Sequence, residues 1–289
     1  MREFVVFTEA GADLSPQYIA SHDIRVIPQH YTIDGEEYGG DKVLSPEKFY
    51  GKMRGGSRPV TKACDPRVIE QMYRDAIGEK KDILQIGYDA GLSATVDAEK
   101  LIASVLMQQL PGSRIVVIDS FSASLGEGVL AAHAQELKES GATLDETVKE
   151  IEGLAPHMSV VSAVPDAHYL YRSGRLTRAS VRLSPRTRVK PLIHLDTVGE
   201  IKVISRNQGQ NQLFTGMIEY MEKTIGSWRD KQLRVGIVHS DCMEAALQLQ
   251  EIIKERFGYD DIFIAPLGPA LGTYLGPDTL SLIFLADER

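Results

Sequence analysis

Short runs in which nearly every position is apolar punctuate the first half of the chain, at residues 4–8, 83–87 and 114–119. Such runs suit strands covered on both faces, and the amphipathic stretches between and after them carry the rhythm of helices packed on a parallel sheet. Two helix starts are spelled out. Ser45-Pro46-Glu47 supplies a cap and a proline in the first turn, and Asp65-Pro66 does the same ahead of Val68, Ile69, Met72 and Tyr73, whose spacing lays one apolar stripe against the sheet. Residues 23–38 read as extended and turn at Asp34-Gly35, which predicts an edge hairpin added to the parallel core.

Beyond a helix at 144–154 the pattern changes near His157. A strand at 158–164, a short helix at 166–171 and a basic polar stretch at 172–190 lead to extended pieces at 191–195 and 201–205, separated by Thr197-Val198-Gly199. A helix at 212–224, a strand at 233–239, a helix at 243–257 and strands at 261–266 and 280–285 complete the pattern. A chain of 289 residues suits two domains. The expectation is therefore α/β: residues 1–157 form an N-terminal domain with a mainly parallel sheet flanked by helices, and residues 158–289 a smaller C-terminal α/β domain. No internal repeat or low-complexity tract interrupts this division.

Composition narrows the function classes. The net charge of −8 opposes a general affinity for nucleic acid or anionic membrane surfaces, so any anion site must be local. No stretch approaches the ~18 apolar residues of a membrane span. Met1–Thr8 begins a strand-like run rather than a secretory leader, and a cytoplasmic location is expected. Cys64 and Cys242 stand apart from one another and from any metal-ligand spacing, which predicts two reduced thiols and no zinc site; no cofactor is expected. Dinucleotide, P-loop and zincin motifs are absent.

The sharpest local feature is the predicted strand at 83–87 followed by Tyr88-Asp89-Ala90-Gly91-Leu92-Ser93-Ala94-Thr95. A small-residue turn into a helix start leaves unpaired backbone N–H groups that cradle anions, and Ser93 adds a hydroxyl there. Ser93 can equally cap its own helix. Thr61, ahead of the helix opened by Asp65, supplies a second hydroxyl for the same sheet edge, where ligands of open α/β sheets collect. The turn also resembles a nucleophile elbow with its last glycine replaced, which raises a serine hydrolase using Ser93, with Asp119 or Asp166 and His168, His194 or His239 as partners. In the basic stretch, Arg175 beside Ser173-Gly174 stands out as an anion-binding candidate.

At this point an ordered series of short segments resembles the DegV family of fatty-acid-binding proteins. The segments are residues 8–14, Val26-Ile27-Pro28, Tyr38 with Asp41, Pro59-Val60-Thr61, Leu92-Ser93-Ala94-Thr95, Ile118-Asp119-Ser120, residues 170–175, Lys190-Pro191 and residues 268–277. The resemblance implies a long-chain fatty acid in an interdomain tunnel, its carboxylate held by Thr61 and Ser93 with Arg175 near the head group. It also implies a carrier without catalysis of its own, presenting the ligand to a partner such as a fatty acid kinase. Three departures bear on the head group. The family's Thr-Ser-Gln-Pro-Ser is Thr61-Lys62-Ala63-Cys64-Asp65 here, its Ser-Ser-x-Leu-Ser-Gly-Thr is Asp89-Ala90-Gly91-Leu92-Ser93-Ala94-Thr95, and its Gly-Thr-His-x-Gly-Pro-Gly is Gly272-Thr273-Tyr274-Leu275-Gly276-Pro277-Asp278. Tyr274 thus puts a phenol, which donates a hydrogen bond without positive charge at neutral pH, where an imidazole is expected.

A tail suits a carrier energetically. At about 0.8 kcal/mol per buried methylene, about fourteen methylenes supply roughly 11 kcal/mol before association costs, while a hydrogen bond to a charged group adds about 1.5–3 kcal/mol and mainly sets direction. Lys62 and Asp89 bring charges to the expected site, where they can pair with each other or favour a different amphiphile. Ile86, Leu125, Ile193 and Leu267 are expected to shape the tunnel, and Arg172, Arg178, Arg182, Arg186 and Arg188 offer a basic contact surface for a partner.

Overall fold

The computed structural model describes residues 2–40, 42–174 and 189–289. Strands β1 (Phe4–Glu9), β2 (Arg25–Ile27), β6 (Asp82–Gly87) and β7 (Ile115–Asp119) form a wholly parallel sheet in the order β2-β1-β6-β7. Between β2 and β6 in the chain, strands β3 (His30–Ile33), β4 (Glu36–Tyr38) and β5 (Val60–Lys62) build a small antiparallel sheet in the order β4-β3-β5. The second large sheet is six-stranded and mixed. It joins β8 (Met158–Ala163), β9 (Val189–Leu195), β10 (Ile201–Gln208), β11 (Val235–His239), β12 (Ile262–Pro266) and β13 (Leu280–Leu285) in the order β10-β9-β8-β13-β11-β12. Only β11 and β12 run parallel within it.

The α/β expectation therefore holds, with one correction. The Asp34-Gly35 turn does close a hairpin, both residues lying at positive φ, but the hairpin pairs with β5 instead of extending the parallel sheet. Its neighbour β2 takes the edge position beside β1. Two strands, β2 and β3, stand where one arm of the hairpin was expected, which follows from Pro28: it lacks an N–H to continue a ladder and falls between them.

Period-two alternation sends successive β1 side chains to different cores. Val5 and Phe7 pack outward with Ile69 and Tyr73 of the helix Pro66–Gly78 and Leu106 of the helix Thr95–Gln109, while Phe4 and Val6 face inward. The outer helix at 66–78 starts as its sequence predicts, with Pro66 in the first turn and the Asp65 carboxylate accepting the Arg67 N–H at 2.9 Å. The inner face is covered by the helices Leu125–Glu139 and Leu144–Leu154. The helix at 125–139 also packs on β8, β11 and β13, so it lies between the two large sheets. Helices Gln210–Thr224 and Met243–Phe257 cover the far side of the mixed sheet. Five layers result, and the central core draws on both sheets: Leu84 and Ile86 on one side, Val238 and Ile283 on the other. Among the described residues no helix is long and apolar enough to cross a membrane.

Candidate functional site

The carboxyl ends of β1, β2 and β6 deliver Ala10, Gln29 and Tyr88 to one edge of the parallel sheet, the edge at which open α/β sheets gather ligands. Above it sits the helix Pro269–Leu275 from the second half of the chain. Two buried ties hold that helix down. The Asp13 carboxylate accepts the Gly268 N–H at 2.9 Å, and the Tyr50 hydroxyl donates to the Leu267 carbonyl at 2.7 Å.

A cavity of about 160 Å³ lies at this junction, lined by Thr61, Ser93, Thr95 and Tyr274 together with Gln29, Lys62, Tyr88, Leu92, Leu170, Ile201 and Leu271 among others. Thr61 on β5 and Tyr274 share a short hydrogen bond between hydroxyls. Ser93 Oγ is 2.9 Å from Thr95 Oγ1 and accepts the Thr95 N–H at 3.3 Å while bordering the cavity; the cap position is Ala94, so Ser93 stands one residue ahead of it and is not the helix cap. Thus Thr61, Ser93 and Tyr274 come together around one space. Arg175 lies outside the described residues, as do Asp41, Arg178, Arg182, Arg186 and Arg188.

A second cavity of about 410 Å³ shares the walls Gln29, Thr61 and Ala270 and is otherwise largely apolar, with Val26, Pro28, Tyr31, Val43, Leu44 and Pro269. Ile86, Leu125, Ile193 and Leu267 do not border either space; all four belong to the packed central core. Gln29 was not singled out by the sequence, although it follows β2 by two residues at the ligand edge. Its Oε1 is buried without a hydrogen-bond partner. On its other side Tyr274 borders a groove of about 360 Å³ with Arg58, Val60 and Arg172.

The two charges introduced near the site do not pair with each other. Lys62 Nζ lies 2.6 Å from Glu37 Oε2, and Asp89 faces Arg289 with 3.8 Å between Oδ2 and Nη2. Nor does the hydrolase geometry assemble. The Ser93 hydroxyl is partnered by Thr95, whereas His168 bonds Asp166, His194 bonds the Tyr220 hydroxyl and His239 accepts the Cys242 N–H. A general base must reach the proton that it removes, and none of the nominated histidines bonds Ser93.

Behind the cavity three glutamates are buried. Glu127 Oε1 accepts from the Thr8 hydroxyl at 2.6 Å and the Glu9 N–H at 2.9 Å, and Glu9 Oε1 accepts the Tyr88 N–H at 2.9 Å. Neither carboxyl oxygen of Glu99 has a hydrogen-bond partner. Burial pushes Glu9 up to about 7 and holds Glu99 and Glu127 well above the usual carboxylate range. Asp13 is likewise pushed up by burial to about 7, against the opposing pull of Ser124 and Gly268. Both cysteines are free, and burial raises their thiols to about 11.

A parallel sheet, a mixed sheet and two adjoining cavities, the smaller with a cluster of hydroxyls, define an α/β protein with a candidate ligand site at the sheet edge. A family model described as the DegV family matches residues 3–287, and the chain belongs to that family. It is 27% identical to a DegV domain-containing protein of Clostridium perfringens over 100% of this chain and 99% of that one. Identity to a DegV domain-containing protein of Streptococcus pyogenes is 28%, covering 99% of each. A solved structure of a DegV family protein from Thermus thermophilus, described by its fatty acid binding, superposes with a TM-score of 0.86 at 26% identity over 99% of this chain and 100% of that one. A DegV family structure from Ruminococcus gnavus with vaccenic acid shares the fold, with a TM-score of 0.86 at 21% identity over 97% of this chain and 99% of that one.

Proposed function

We propose that this protein binds a long-chain fatty acid and presents it to a partner such as a fatty acid kinase, without catalysis of its own. The observation that carries the proposal is the meeting of three hydroxyls, on Thr61, Ser93 and Tyr274, at a cavity that shares walls with a larger apolar one. In this reading the carboxylate accepts hydrogen bonds from those hydroxyls and the tail runs past Gln29 and Ala270 among Val26, Tyr31, Val43 and Leu44. The family pattern adds Arg175, which lies outside the described residues, as a head-group residue. The relative from Thermus thermophilus supports the ligand class, since its structure is described by fatty acid binding.

Presentation to a kinase draws support from the groove beyond Tyr274, where Arg58 and Arg172 offer two cations to an incoming phosphate. Free thiols and the lack of a described membrane-crossing helix fit a cytoplasmic carrier. The test is mass spectrometry of an organic extract from the denatured protein, set beside the same extract from a Thr61→Ala/Ser93→Ala variant. A stoichiometric fatty acid in the wild type that is lost from the variant is the expected result. A wild type that carries no fatty acid and takes up none when offered it would overturn the proposal.

A further inference from the structure

The turn that carries Ser93 is held by an unusual amount of buried structure. The Asp89 carbonyl accepts the N–H groups of both Leu92 and Ser93 at 3.0 Å, so the position of Asp89 sets that of the serine. The Asp89 side chain is turned inward: Oδ1 accepts the Gly91 N–H at 2.7 Å, and Oδ2, buried without a hydrogen-bond partner, lies 3.8 Å from Arg289 Nη2, close enough for attraction between the charges. Both side chains are almost wholly buried, 3% and 4% exposed. A carboxylate in such a place needs a cation, and a cation needs acceptors for its remaining N–H groups.

Arg289 finds those acceptors on three other segments. It donates to the Phe121 carbonyl after β7, to the Met158 carbonyl at the start of β8 at 3.4 Å, and to the Asp196 carbonyl of the turn between β9 and β10 at 3.1 Å. Its guanidinium also stands 5.4 Å from the centre of the Phe121 ring. The β9–β10 turn is pressed onto the Asp89 loop with no room for side chains. A Cβ on Gly91 would come within 2.7 Å of Gly199 Cα and of the Val198 carbonyl, and one on Gly199 within 2.5 Å of Asp89 Oδ1. Gly199 also has φ +76°, which suits glycine.

We infer that Arg289 is a positioning residue for the head-group site: by tying Asp89 to the β9–β10 turn it fixes the Ser93 hydroxyl toward the cavity and so sets the preference for a carboxylate over a neutral head. The inference rests on the proposed fatty acid reading. It touches the ligand only through Ser93, so releasing the clamp affects the head-group hydrogen bonds and leaves the tail cavity unchanged.

The test measures affinities for a long-chain fatty acid and for the primary alcohol of equal length. Arg289→Gln is expected to weaken the acid at least tenfold and the alcohol by less than twofold, and Arg289→Lys to recover most of the loss. Gly199→Ala reaches the same turn by a separate route and is expected to give the same acid-selective loss, which covers a failure of Arg289→Gln to fold. Equal weakening of acid and alcohol, or no change in either, overturns the inference. Ser93→Ala separates the two levels: if it weakens the acid while Arg289→Gln and Gly199→Ala do not, the clamp is wrong and the site stands. A wild type that binds neither ligand overturns the underlying fatty acid reading, and the inference with it.

Discussion

Glu9 is a carboxyl group enclosed at the end of β1, and replacing it by Gln isolates what enclosure costs. Gln retains an oxygen to accept the Tyr88 N–H, so the local geometry is kept while the ionisable proton is removed. In the folded protein Glu9 ionises at about 7, against 4.5 for the ordinary group. The folded state therefore holds its proton where the unfolded chain has lost it, and stability falls as pH rises from the unfolded value toward the folded one. At ~1.4 kcal/mol per unit the full effect is about 3 kcal/mol, of which about 2 kcal/mol falls between pH 5.5 and pH 8. Urea unfolding followed by the fluorescence of the single tryptophan, Trp228, at those two pH values measures it. Glu9→Gln is expected to gain about 2 kcal/mol on the wild type between the lower and the higher pH. An equal stability difference at both pH values would refute the reasoning, and a loss at pH 8 would show that the charged form is the one the fold favours.

Other expectations follow from the same geometry. Tyr274→Phe removes the hydroxyl partner of Thr61 and should weaken fatty acid binding by about 1 kcal/mol, or about fivefold, in calorimetry, with the chain-length preference unchanged. Gly128→Ala places a methyl against the Ala12 carbonyl and 3.2 Å from Leu14 Cγ, and should cost about 1–3 kcal/mol in thermal unfolding. Cys64 and Cys242, with thiols raised to about 11, should react with iodoacetamide at pH 8 at least tenfold more slowly than a free cysteine, as followed by mass shift.

Much of the fold could be read from the chain. Strands with apolar residues on both faces, such as β6 and β7, and the helix at 144–154 emerged close to their observed bounds, and the helix at 66–78 at its capped start, because local chemistry and tertiary burial agree there. The helix at 125–139 was harder to foresee. From Leu125 to Ala132 every side is buried, so the polar stripe that marks a surface helix is missing, and Gly126, Glu127 and Gly128 dilute its apolar character. The separation of the β3–β4 hairpin from the parallel sheet was hidden because its partner, β5, lies more than twenty residues further along. At the site, Thr61, Ser93 and Tyr274 could be named from short motifs, whereas Gln29 and the Asp89–Arg289 pair could not. Pairing across two hundred residues leaves no local pattern, and Arg289 by itself reads as one more surface cation.

The helix at 125–139 also determines how this protein can change. One flank seals the parallel sheet and the opposite flank seals the mixed sheet, so the two halves hold a single wall in common. A cut on either side of that wall would leave one half with a bare apolar face. A descendant of this chain can therefore alter what it binds through the loops at the sheet edge, where Gln29, Tyr88 and Ser93 sit, far more readily than by exchanging one half for another.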